Sequence, residues 1–410
     1  MGNSDLRKSR VAAVKAVTHH HSDITQFQSR ISKQRLSSHP PHPTMLFPNK
    51  TSVTSILLLS IYILIIPIHV STFSIKHNVV RPTLETIDKK LLEGLETHTV
   101  PSLLDSHPIT VYSLSSNSPP SDSQSPLLLL HGRTWSSLSV YHLNPNTPTD
   151  LITSFPSTCA PYMMDFRGFG LTPSDSSDTV SPSKCVEDCK TVLKWIAERH
   201  GANPNTAEAA NYRDQRLPSL IGWSQGALIA QMVSQSNCEY LNKLVLFGSI
   251  YNRTLTYPTS STPLHPLNTL NTKSSSLEDF TIEGSVLPST ASAFSVAALT
   301  VDPIKSRWTN LHEFNTLPPS PLSTYRITDT TPVLLITGSH DPYSSPQTQI
   351  ELFQDLGDRG GGDKSLVVIA GSDHASHLLE GSRERWKKAV NGFLEFGESC
   401  SLNSGDTYTI

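Results

Sequence analysis

The chain has 410 residues, 37% of them hydrophobic and 16% charged, with a net charge of −3. That length can bury a sizeable core in one or two domains, and so small a charge points to neither a nucleic-acid partner nor steering of a charged substrate. Five cysteines, Cys159, Cys185, Cys189, Cys238 and Cys400, are too sparse and odd in number for a disulfide framework, and no Cys/His group has zinc-like spacing.

Residues 1–54 read as a disordered basic leader, with eight Lys/Arg against two Asp/Glu; His19, His20 and His21 lie in this solvated tail. An apolar segment follows at 55–72, its core being the run ILLLSIYILIIPIHV over 56–70. The run is shorter than the ~20 residues that span a bilayer comfortably, but it fits the apolar region of a signal sequence or a short anchor. The basic flank keeps the N-terminus cytoplasmic and sends the rest across. A start at Met45 would leave an ordinary signal peptide flanked by Lys50. The Arg/Ser-rich leader also resembles an organelle transit peptide, and a buried strand or helix is a further reading. Pro67 and His69 weaken the end of the run without giving a clear small-residue cleavage site. The sequence therefore points to the secretory pathway or membrane association through 56–70, with organellar and cytoplasmic locations as alternatives. In a lumenal protein Asn252-Arg253-Thr254 would be a glycosylation acceptor.

From about residue 96 short apolar runs alternate with amphipathic helices, the rhythm of a parallel sheet covered on both faces. Strands are predicted at 109–114, 127–130, 162–164, 217–221, 243–247, 333–336 and 366–369. Ser181 or Ser183 can cap a helix in which Val186, Cys189, Val192, Leu193 and Ile196 recur at helical spacing, and Cys185 shares the face of Cys189. Residues 202–216 read as a surface insertion. The core divides into 96–250 and 331–400, and the Pro/Ser/Thr-rich stretch 251–330 between them reads as a cap over the C-terminal ends of the strands, where open α/β sheets bind ligands.

Gly222-Trp223-Ser224-Gln225-Gly226 fits G-x-S-x-G between a predicted strand and a predicted helix, a context in which the turn pushes the serine hydroxyl out of the sheet. A serine nucleophile needs a base to take its proton and a third group to hold that base. Asp341 follows strand 333–336 and His374 follows strand 366–369, both at strand C-terminal ends. An acid after the strand ending at Phe247 is disfavoured, since no Asp or Glu occurs from Gly248 until Glu278. His377, at the expected start of the final helix, competes with His374 for the role of base; Asp373 points elsewhere. The oxyanion of an acyl-transfer intermediate needs backbone donors. The N–H groups of Gln225 and Arg133, the latter in His131-Gly132-Arg133-Thr134-Trp135 after strand 127–130, are the candidates. The Trp135 and Trp223 side chains are the candidates for substrate contact, with loop packing an equal reading for Arg133 and Trp135. His131 is expected to pack the loop, and Asp165-Phe166-Arg167-Gly168-Phe169-Gly170 to form a fixed turn shaping the entrance.

Together LLLLHGRTW, MMDFRGFGLTP, LIGWSQG, LLITGSHDP and AGSDHASHLLE resemble the α/β-hydrolase superfamily, in its serine-nucleophile, lid-bearing esterase and lipase branch. The match covers roughly 105–250 and 331–398. The resemblance implies a doubly wound, mostly parallel α/β sheet with an inserted cap, no metal and no organic cofactor. HGRTW departs from the HGGG-type loop of one branch. The activity so implied is hydrolysis of a carboxylic ester or related acyl bond of a small to medium apolar molecule, through an acyl-enzyme on Ser224. A triad-bearing binding protein, or a carbon–carbon bond hydrolase, would use the same residues.

Overall fold

The computed structural model describes residues 81–115, 124–144, 147–206, 214–317, 331–356, 364–396 and 407–409. The leader, the apolar run 56–70, residues 207–213 of the expected insertion and residues 318–330 of the expected cap lie outside them. No helix among the described residues is long and apolar enough to cross a membrane.

Among the described residues nine strands form one sheet: β1 Leu95–Pro101, β2 Pro108–Leu114, β3 Ser125–Leu130, β4 Cys159–Met164, β5 Ser219–Trp223, β6 Leu244–Phe247, β7 Val333–Gly338, β8 Lys364–Ile369 and β9 Thr407–Thr409. Their order is β1-β2-β4-β3-β5-β6-β7-β8-β9. The run from β4 to β8 is parallel, while β1, β2 and β9 pair antiparallel at the edges. The order reverses about β3, with β4 on one side and β5 on the other. That is where an open α/β sheet leaves a crevice beyond its strand ends.

The apolar runs explain why the sheet is covered twice. Side chains alternate between faces along a strand, so Leu128 and Leu130 of β3 enter one core and Leu127 and Leu129 the other. The first face packs on α2 (Pro182–Arg199), α3 (Gln225–Gln235) and α5 (Pro346–Asp355), through residues such as Cys189, Ile196, Ile229 and Leu352. The second packs on α1 (Ser137–Tyr141), α4 (Pro288–Val301) and α6 (Arg383–Phe396), through Leu138, Phe294, Trp386 and Phe393. Helix α2 starts where the sequence indicates: Ser181 is its N-cap, with a proline in the first turn, and its predicted apolar stripe is buried.

The connection from β6 to β7 breaks this regular winding. Its described part, 251–317, contributes α4 and two 3-10 turns, Ser275–Leu277 and Leu311–Thr316. Its last turn of α4 ends at Asp302, a fully buried carboxylate that accepts from the Ser136 N–H at 2.7 Å and the Gly170 N–H at 2.9 Å. Trp308 Nε1 donates to the Arg133 carbonyl at 2.9 Å. The connection is thereby tied to the loops that follow β3 and β4.

Candidate active site

The site is built where β3, β5, β6, β7 and β8 end. Between β5 and α3 the chain turns at Ser224, whose backbone takes φ 59° and ψ −122°, a region costly for a residue with a Cβ, by about 1–3 kcal/mol. The turn holds because its neighbours leave no alternative. A Cβ at Gly222 would overlap the Gly226 carbonyl, and one at Gly226 would overlap the His131 carbonyl. The two glycines of the motif are thus needed for close approach of strand, helix and the β3 loop. Ser224 N–H donates to the Phe247 carbonyl at 2.8 Å, pinning the turn to β6.

Asp341 and His374 come together from the ends of β7 and β8. His374 Nδ1 lies 2.7 Å from Asp341 Oδ2, and both groups are buried. The carboxylate is fixed on its other sides by the N–H groups of Tyr343 and Ser344, each at 2.9 Å, and by the Ser344 hydroxyl at 2.6 Å. Burial alone would push His374 down, but the Asp341 carboxylate outweighs it, with Asp279 and Asp373 adding, and the imidazole titrates above its ordinary range. Burial likewise opposes the charge of Asp341, yet His374 and Ser344 hold it below the usual carboxylate range. The His374 ring is positioned by Tyr343, with ring centres 4.9 Å apart, and by Trp223, whose Nε1 donates to the His374 carbonyl at 3.0 Å. With Nδ1–H facing the acid, Nε2 is the nitrogen left to act as a base.

Ser224 and His374 line one cavity of about 210 Å³ together with Gly132, Arg133, Thr134, Trp135, Trp223, Ile250, Ser275, Glu278, Asp279 and Tyr343. The β3 loop lies directly over the serine, since a Cβ at Gly132 would sit 3.3 Å from Ser224 Cβ. Among the described residues no protein acceptor takes the backbone N–H of Arg133 or of Gln225. Their side chains are occupied with each other, Arg133 Nε donating to Gln225 Oε1 at 2.6 Å. Trp135 and Trp223 reach the cavity wall, but each is only 2% exposed, so most of either ring is core. The described residues contain no group of three or more His, Cys, Asp or Glu arranged to hold a metal ion.

The other sequence candidates fall elsewhere. His377 does not start the last helix, which begins at Arg383; it lies in the preceding turns, fully buried among Tyr141, Trp223, Phe247 and Trp386. Burial, then Arg383 and His374, push it down to about 3, so it stays neutral. His131 is a packing residue between Phe166 and Phe169, and its Nε2 accepts the Phe166 N–H. Asp373 accepts from the Thr281 N–H at 2.9 Å. The DFRGFG turn is fixed, with Asp165 buried against Tyr112, and none of its residues is among those lining the cavity.

Two features escape a reading of the sequence. Gly248, at φ 57° after β6, passes so close to the acid–base pair that a Cβ there would lie 2.9 Å from His374 Cε1. Glu278 and Asp279 enter the cavity from the β6–β7 connection; their one signal is that they are the first acids after a long stretch without any.

A family model described as the alpha/beta hydrolase family matches residues 127–389. No curated protein matches the chain. Similar solved structures include a carboxylesterase from Bacillus subtilis, at 16% identity over 76% of this chain and 95% of that one, with a TM-score of 0.46. A thermophilic esterase from Thermogutta terrifontis has 14% identity, covering 73% and 98%, with a TM-score of 0.47. A serine hydrolase involved in carbazole degradation has 15%, covering 73% and 99%, also at 0.47. Likeness at this level says nothing of substrate.

Proposed function

This chain belongs to the α/β-hydrolase family, and from that membership we propose that it is a serine hydrolase that cleaves a carboxylic ester through an acyl-enzyme on Ser224. The observation that carries the reading is the buried 2.7 Å pair of His374 and Asp341 on the cavity that Ser224 also lines. His374 Nε2 takes the hydroxyl proton as Oγ bonds to the acyl carbon, and the oxyanion forms against the free N–H groups of Arg133 and Gln225. The C–O bond to the alcohol then breaks, and the leaving oxygen receives the proton from His374. A water molecule, deprotonated by the same nitrogen, cleaves the acyl-serine to acid and free enzyme. Asp341 stabilises the imidazolium formed in each half and fixes the ring's tautomer. Trp135 and Trp223 supply the apolar part of the substrate contact.

A screen of esters differing in acyl length, run beside Ser224→Ala, tests this. Turnover of at least one ester that disappears in the variant supports the reading. Binding of esters without turnover, unchanged by the substitution, would instead make the cavity a ligand-binding pocket. The apolar run 56–70 fits delivery of this enzyme to a secretory membrane, which glycosidase treatment of the Asn252→Gln variant and the wild type would reveal as a lost mobility shift.

A further inference from the structure

The cavity is electrically lopsided, and one of its carboxylates has no hydrogen-bond or ion-pair partner among the described residues. Of the carboxylates grouped about His374, Asp341 is saturated by the imidazole, Ser344 and Tyr343, and Asp373 by the N–H groups of Thr281 and Ile282, the Ser285 hydroxyl and the Ala375 N–H. Asp279 is different. It is half-buried on the cavity wall, yet among the described residues its carboxylate accepts no hydrogen bond and forms no ion pair. Arg133, the cation of the same cavity, is turned to Gln225 and forms no ion pair with it. Burial pushes Asp279 up; His374 opposes this, and Asp341, Asp373 and Glu278 add to it. A carboxylate held in such a place with no hydrogen-bond donor or ion-pair partner is costly, and a ligand that brings one recovers part of that cost.

Two further observations define what the ligand brings. Glu278 adds a second carboxylate to the lining, and Tyr343, with the edges of Trp135 and Trp223, gives the same cavity aromatic surface, which attracts ammonium groups. Asp279 shares the cavity with His374 and lies near enough to raise its titration. His374 is the residue that hands its proton to the leaving alcohol, so the alcohol part of the ester comes off within reach of Asp279. We propose that this end of the cavity receives a positively charged ammonium group on the alcohol part of the substrate, and that Asp279 determines the preference for it.

The inference rests on the serine-ester reading, and the experiment separates the two. The full chain is given a 2-(trimethylammonio)ethyl ester and its uncharged 3,3-dimethylbutyl counterpart with the same acyl group. The same pair is built as phosphonate esters, whose rate of labelling at Ser224 is read independently of acyl preference. Wild type should favour the cationic member by about tenfold or more. In Asp279→Asn the ratio should fall close to one, while Asp279→Glu should retain most of it. The ratio is internal, so general damage to folding cancels. A ratio of one or below in wild type, or an undiminished ratio in Asp279→Asn, overturns the inference while Ser224 labelling leaves the hydrolase reading standing. Failure of both phosphonates to label Ser224 removes both.

Discussion

The cavity has two walls built by different means. The wall bearing Ser224, His374 and Asp341 comes from strand ends, and each group there is fixed by backbone it cannot escape: the strained turn at Ser224, the glycines at 222, 226 and 248, the hydrogen bonds around Asp341. The wall bearing Ser275, Glu278 and Asp279 comes from the β6–β7 connection, where regular structure is sparse and attachment depends on side chains such as Asp302 and Trp308. Rigid elements suit groups that must meet a reacting atom to within a fraction of an ångström, whereas a connecting segment can vary without disturbing them. On the proposed reading the first wall serves the chemistry and the second the choice of substrate.

If that division is right, substitutions on the first wall should dominate. Ser224→Ala should lower kcat by about 10⁴–10⁶-fold with little change in melting temperature, and His374→Ala should fall in the same range. His377→Ala, three residues on, should show the opposite profile in parallel kinetic and thermal-melt measurements. It loses stability, because a buried ring is removed, while kcat drops by less than about tenfold. Equal kinetic losses at His374 and His377 would erase the distinction.

Gly226→Ala tests the backbone rather than the chemistry. The new Cβ meets the His131 carbonyl, so the β3 loop must move off the serine, and a displacement near 1 Å is enough to cost about 10²-fold in kcat. Retention of full activity would mean that the loop has slack the close approach denies.

Asp302→Ala is the corresponding probe of the second wall. It leaves the N–H groups of Ser136 and Gly170 unpaired, and hydrogen bonds to charged groups are worth about 1.5–3 kcal/mol each. Urea denaturation should show a loss of that order, with kcat changed less than by Gly226→Ala. A catalytic collapse without loss of stability would put Asp302 in the chemistry.

The smallest effect expected is on pH. Because Asp341 holds His374 protonated above its ordinary range, kcat/KM should rise with pH through a single ionisation lying above 6.5, the proton having to leave before the imidazole can act as base. Asp279 adds to that upward shift, so Asp279→Asn should move the limb to lower pH. A limb unmoved or moved upward in that profile would contradict the placement of Asp279 beside His374.

The same division explains what could be read from the sequence. Strand β3 declared itself through Leu127 to Leu130, α2 through Ser181 and its buried stripe, and the Ser224 turn through two glycines, because each depends on neighbours in the chain. The order Ser224, Asp341, His374 followed from strand ends. Helix α4 did not declare itself: its run of Ala, Ser and Thr around Phe294 has little sidedness. Its place depends on contacts such as Asp302 with Ser136, 166 residues apart. Asp279 was illegible for the same reason, since nothing local says that a carboxylate in a Ser-rich stretch will line the cavity of His374. His377 was expected at the start of the final helix, whereas the chain makes several more turns before α6 and buries the ring.

The central claim is that Ser224 is the nucleophile, and covalent labelling addresses it without knowledge of the natural substrate. The full chain is treated with a fluorophosphonate, digested, and the modified peptide sequenced by mass spectrometry. One adduct is predicted, on Ser224, formed slowly or not at all in His374→Ala and absent from Ser224→Ala. An adduct on another residue, or labelling that persists in Ser224→Ala, would contradict the account.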